Sequence, residues 1–128
     1  MKIFRAVDAP PKPGDPKTFT GAVRTSHLAS DGGAVPTVVY RVEFEPGART
    51  FWHTHSGPQW LFVVEGRVRV RTERGEAHEL GVGDAVVIAP GERHWHGAAP
   101  GWRAVHIAIN INARTEWLEP VSETDYNA

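Results

Sequence analysis

Gly47-Ala48-Arg49-Thr50-Phe51-Trp52-His53-Thr54-His55-Ser56-Gly57-Pro58-Gln59, answered further along by Pro90-Gly91-Glu92-Arg93-His94-Trp95-His96, decides how this chain is read. Successive side chains of a β-strand point to opposite faces, so a His-X-His spacing sets both imidazoles on one face, roughly 7 Å apart at their Cα atoms. Two such rings can converge on one ion. The Gly57-Pro58 turn folds the chain back and presents Gln59, while His94 comes from a separate strand. His53, His55, Gln59 and His94 together offer three ring nitrogens and one amide oxygen. That donor set suits one divalent transition ion per chain, with Mn, Fe, Ni, Co and Zn all compatible.

Outward from these segments the chain reads as β almost throughout, with abundant Gly and Pro at the turns and no stretch of helical periodicity. Strands are predicted at Thr37–Phe44, Trp60–Val64, Arg67–Arg71, Ala85–Ala89 and Ala104–Ile111, the second turning into the third through Glu65-Gly66. Short strands with compact turns favour a sandwich or small barrel. In Arg67-Val68-Arg69-Val70-Arg71 the valines face inward and the arginines make a solvated row. Along Ala104–Ile111 one face carries His106, Ala108 and Asn110; the other carries Val105, Ile107, Ile109 and Ile111. The polar face is expected to line a pocket. His96 shares a strand face with His94 and should look into the same cavity. Tyr40, Val42 and Phe44 are read as barrel lining, with the Tyr40 hydroxyl able to touch substrate. Trp52 and Trp95 alternate away from the ligand face and are read as packing residues, at a subunit interface. His27 and His78 are expected to be solvated.

With 128 residues and a net charge of -1, the sequence forms one domain (1–128) with an extended N-terminal arm (about 1–20) and a loosely held tail from Pro120 to Ala128. Near-neutral charge argues against a nucleic acid or an acidic membrane surface as partner. The chain has no cysteine, which excludes disulfides and thiolate ligation. Met1–Asp8 lacks the apolar core of a signal peptide, and no window is apolar enough to span a bilayer, so a cytoplasmic protein is expected.

The chain resembles a single-domain cupin over most of its length. The family's first motif runs here through Gly47, His53, His55, Gln59 and Gly66, with Gln where Glu is usual; the second runs through Gly83, Ala89, Pro90, Gly91 and His94. The resemblance implies an all-β fold, a small β-barrel (double-stranded β-helix, or jelly roll) with a metal inside, and a homodimer or an assembly of dimers. Phe44-Glu45-Pro46-Gly47-Ala48-Arg49-Thr50, Trp52-His53-Thr54-His55, His94-Trp95-His96-Gly97 and His106-Ile107-Ala108-Ile109 are further similar to the small bacterial cupins that include manganese-dependent hydroxynitrile lyases. That group also uses Gln as its fourth ligand. It implies manganese, non-ligand roles for His96 and His106 in the substrate cavity, and Tyr40 and Asn110 as lining positions.

Charge supports the same direction independently. Three neutral imidazoles and an amide leave both charges of a divalent ion uncancelled, whereas a Glu would cancel one, so the Gln set favours Lewis-acid chemistry over a change of oxidation state. The leading expectation is a metal-dependent carbon-carbon lyase that cleaves or forms a small cyanohydrin, with His106 or His96 moving the hydroxyl proton. The alternatives are an oxygen-dependent dioxygenase, quercetinase-like or alkene-cleaving, and a non-catalytic small-molecule binder; oxygen dependence separates the first two.

Overall fold

Two antiparallel sheets curl around one core because a single long strand belongs to both. The computed structural model describes every residue, Met1–Ala128. A 3-10 turn (Ala6–Asp8) precedes β1 (Lys12–Pro13), β2 (Phe19–Thr20), β3 (Val23–Asp31), β4 (Thr37–Phe44), β5 (Arg49–Thr50), β6 (His53–His55) and β7 (Gln59–Thr72). Then come β8 (His78–Gly81), β9 (Ala85–Ile88), β10 (His94–Ala98), β11 (Ala104–Ile111), β12 (Thr115–Trp117) and a short helix α1 (Glu123–Asn127). The first half of β7 pairs with β11 and β9, and its second half with β10 and β8. Beyond β11 the first sheet continues through β4 and β3 to β1. Beyond β10 the second continues to β5 and β2, and to β6 and β12.

The Glu65-Gly66 turn expected from sequence is therefore a bend within one strand. Gly66 has φ 68°, and a Cβ there would collide with the Arg103 carbonyl. Only glycine accepts both that backbone angle and that approach, so β7 can change sheets without breaking. Where β11 meets β7 the register slips between Val105 and His106. Such a bulge adds twist at the corner of the barrel.

Inward residues of these strands make the core. Val42, Phe44, Val63, Val68, Ala98 and Ala104 fill one end, and Leu61, Val70, Ile88 and Ala108 the other. The strands predicted at Thr37–Phe44 and Ala104–Ile111 form with those bounds. His27 and His78 lie at the surface, His27 against the Tyr40 ring.

The C-terminus corrects the expectation of a loose tail. Val121 and Tyr126 are buried against Trp52 and Trp95. The Tyr126 hydroxyl donates to the Ala98 carbonyl at 2.6 Å. Two arginines of the expected solvated row form a clamp instead: Arg69 donates to the Tyr126 and Ala128 carbonyls, and Arg71 to that of Asp125, while Arg67 stays at the surface beside Glu79. Arg49, only 3% exposed, donates to the Val121 carbonyl and lies over the Tyr126 ring. Trp52 and Trp95 do point away from the barrel interior, but this same chain covers them. Alternating Arg and Val shows that one face is polar; it cannot show that backbone carbonyls rather than water meet it. No helix of the protein is long and apolar enough to cross a membrane.

Candidate metal centre

β6 and β10 run antiparallel with His53 opposite His94, so the two His-X-His segments meet across one ladder. The His53 and His94 rings lie 4.2 Å apart, His53 and His55 4.9 Å, and His55 and His94 5.4 Å. Gln59, the first residue of β7, places its Oε1 3.2 Å from His94 Nε2. A side chain at Gly57 would collide with the Ile111 carbonyl, so glycine lets the turn close tightly enough to bring Gln59 in.

Each of these side chains has its outer atom held by another part of the chain. His53 Nδ1 donates to the Phe51 carbonyl and His94 Nδ1 to the Glu92 carbonyl, each at 2.8 Å. His55 Nδ1 lies 2.9 Å from the Thr115 hydroxyl, which leaves its buried Nε2 without a partner. The Gln59 amide NH2 donates to Asn110 Oδ1 at 2.8 Å, which turns Oε1 toward the histidines. Burial, the largest influence on each, lowers the affinity of these imidazoles for protons: His55 is lowered, His53 falls well below its ordinary value, and His94 drops to about 4. All three are neutral at pH 7, with lone pairs available to a metal. A buried His55 Nε2 with no protein partner, close to the His53 and His94 rings, and a His94 Nε2 that meets only the Gln59 amide oxygen fit a divalent ion.

His96 enters this group more closely than the spacing suggested. The donor atoms of His53, His94 and His96 all lie within 4.8 Å of one another, so three buried histidines could hold a metal ion. His55 stands slightly apart from that trio. His96 differs from the others in its partner: its Nδ1 is 2.9 Å from His106 Nε2, and its buried Nε2 has no partner. His96 lines the cavity, whereas His106 is fully buried behind it against Phe44. Burial lowers His106 to about 4 and carries His96 well down. His106, expected from its strand face to line the pocket, is not among the residues around the cavity and reaches it only through its contact with His96.

The cavity has a volume of about 440 Å³. His53, His55, Gln59 and His96 occupy it together with Thr50, Tyr40, Val42, Ala108 and Asn110. All four lining residues expected from sequence are present, although Asn110 uses its carbonyl on Gln59. The N-terminal arm, expected as an irregular surface segment, supplies Lys12, Pro13, Asp15 and Phe19 as a wall. β12 adds Thr115 and Trp117, whose ring lies 4.6 Å from His53 and 6.1 Å from Phe19. No motif marked the arm or β12, since both reach the site through the fold.

This barrel, with a histidine-rich pocket at its centre, is that of a cupin, and residues 40–109 match the family model "Cupin domain". The chain belongs to the cupin family. It is 38% identical over 129 residues to an "(R)-mandelonitrile lyase" of Granulicella tundricola, covering 98% of each chain. Among solved structures it is similar to a cupin-like protein of Thermotoga maritima, with 43% identity, 90% of each chain covered and a TM-score of 0.85. It shares the fold of the polyketide cyclase RemF from Streptomyces resistomycificus, with 23% identity and a TM-score of 0.70 over 99% of this chain and 91% of that one.

Proposed function

We propose that this protein is a metal-dependent hydroxynitrile lyase, cleaving or forming small cyanohydrins, with manganese held by His53, His55, Gln59 and His94. The observation that carries the reading is the convergence of these four donors beside His96 Nε2, a buried nitrogen with no partner that faces the cavity. The near full-length likeness to a mandelonitrile lyase supports the substrate class. A bound divalent ion would supply Lewis acidity toward a substrate hydroxyl or carbonyl oxygen, undiminished by any carboxylate in the set.

The chain's own residues do the rest. Thr50, Val42, Ala108 and Tyr40 enclose the substrate and exclude water. His96 takes the substrate hydroxyl proton at Nε2 in the cleavage direction, which requires its own N–H on Nδ1, donated to His106 Nε2. Loss of that proton lets the bond between the carbinol carbon and the nitrile carbon break, giving an aldehyde and cyanide. His106 then accepts a hydrogen bond from a protonated His96, spreading charge over two rings in a site that would otherwise oppose it. His96 returns the proton to the departing cyanide. Mandelonitrile, assayed with manganese-reconstituted protein in air and without oxygen, tests the reading: equal benzaldehyde and cyanide release in both supports it. Product formation only with oxygen would replace it with the dioxygenase.

The protein also assembles as a homodimer in this reading. Ile107 lies opposite Phe62, Ile109 opposite Trp60, and Trp60 opposite Val87 on the outer face of the first sheet. Trp60 and Phe62 are each 39% exposed and Val87 50%, more continuous apolar surface than an isolated barrel ordinarily leaves in water. A monomeric mass by light scattering at micromolar concentration would refute it.

A further inference from the structure

The histidines of the centre are not held alike. His53 and His94 each donate Nδ1–H to the carbonyl two residues before them in their own segment, Phe51 and Glu92. A carbonyl can only accept, so both rings are forced into the form with a lone pair on Nε2. His55 has no such carbonyl. Its Nδ1 meets the hydroxyl of Thr115, sixty residues away in sequence and directly opposite it across the β6–β12 ladder. A hydroxyl can either accept from Nδ1–H or donate to a bare Nδ1, so the contact also tolerates the form whose Nε2 carries the proton.

We propose that Thr115 is the positioning residue for His55, and that β12 thereby completes the metal centre from outside both histidine motifs. This rests on the reading of His55 as a ligand. Nε2 can bind an ion only when Nδ1 carries the hydrogen, and the Thr115 oxygen is then its one acceptor. Without that oxygen, Nδ1–H would be left unsatisfied beside the cavity and the ring free to turn, both of which weaken coordination. β12 is placed firmly enough for this task. Ser56 N–H donates to the Arg114 carbonyl at 2.9 Å, and Arg114 N–H donates to Ser56 Oγ at 2.7 Å. At its other end Leu118 N–H donates to the Trp52 carbonyl, and Trp52 N–H to that of Glu119. Trp117, opposite His53, packs against that ring.

The test is the affinity of the full-length, metal-stripped protein for Mn²⁺ alone, measured by competition with a chelating indicator, together with the melting temperature of each metal-free variant. Thr115→Val keeps the shape and removes the oxygen; affinity should fall by roughly ten- to a hundredfold, the usual cost of losing such a partner. Thr115→Ser restores the oxygen and should bind Mn²⁺ close to wild type. Should the Val variant melt early, Thr115→Ala against Thr115→Ser isolates the same oxygen. Nitrogen-15 spectra of metal-free protein give a second readout, since the share of His55 carrying its hydrogen on Nδ1 should change in the Val variant but not in the Ser variant. Wild-type affinity in both Val and Ala variants, or equal losses in Val and Ser, would overturn the proposal. His55→Ala separates the two layers: unchanged Mn²⁺ affinity there refutes His55 as a ligand, whereas weakened binding there with unaffected Thr115 variants refutes only the role of Thr115.

Discussion

His53-X-His55 and His94-X-His96 have the same spacing and face each other across the sheet, yet their second members meet different neighbours. The outer nitrogen of His55 finds a hydroxyl on β12, whereas the corresponding nitrogen of His96 finds another imidazole, His106 on β11. Both Nε2 atoms are buried without a protein partner. The lesson is that spacing aims a side chain, while the group behind it sets its chemistry. A histidine backed by a neutral oxygen is prepared to donate a lone pair to an ion. One backed by a second histidine can share a proton.

The largest effect that would break this contrast is on metal content. His55→Ala should lose manganese steeply after dialysis, whereas His96→Ala should retain it. Elemental analysis giving the reverse would make the compact His53, His94 and His96 trio the true ligand set and remove His96 as the base. Turnover comes next. His96→Ala should lower mandelonitrile cleavage by roughly a hundredfold or more, the scale of losing a positioned acid or base. His106→Ala, acting one ring further back, should cost less and leave metal content unchanged. A larger loss from His106 in steady-state kinetics would restore it as the group that handles the substrate.

Gln59→Glu sharpens the comparison through charge. An added carboxylate should hold manganese more tightly in a chelator competition, while slowing cyanohydrin cleavage because it makes the site less able to favour a deprotonated substrate oxygen. Tighter binding with faster cleavage would contradict the charge argument. The smallest effect concerns the clamp outside the barrel. Tyr126→Phe removes the donor to the buried Ala98 carbonyl and should cost about 1 kcal/mol in chemical denaturation, with metal content unaltered. Loss of metal in this variant would show that the C-terminal segment governs the centre directly rather than through β12.

Alternation made much of this legible in advance. Thr37–Phe44 and Ala104–Ile111 have one inward and one outward face, so their bounds and the lining roles of Tyr40, Val42, Ala108 and Asn110 could be read from residue order. The His-X-His spacing likewise puts His53 with His55 on one face for local reasons, and the Gly57-Pro58 turn brings Gln59 back to them, since side-chain direction in a strand follows from the backbone; that His94 meets them depends on the β6–β10 pairing. Other features depended on which distant backbone lay opposite. Gly66 reads as a turn until the Arg103 carbonyl is seen to fill the space where a side chain would go. Arg69 and Arg71 read as solvated until the C-terminal carbonyls arrive. His106 shares a strand face with cavity residues, but it is fully buried against Phe44 and His96 and does not line the cavity. The sequence by itself determined where these strands run and which donors share a strand face, because both follow from periodicity along one strand. Only the tertiary structure decided that Thr115 backs His55 and His106 backs His96, because those contacts join strands through register and curvature, which no local spacing encodes.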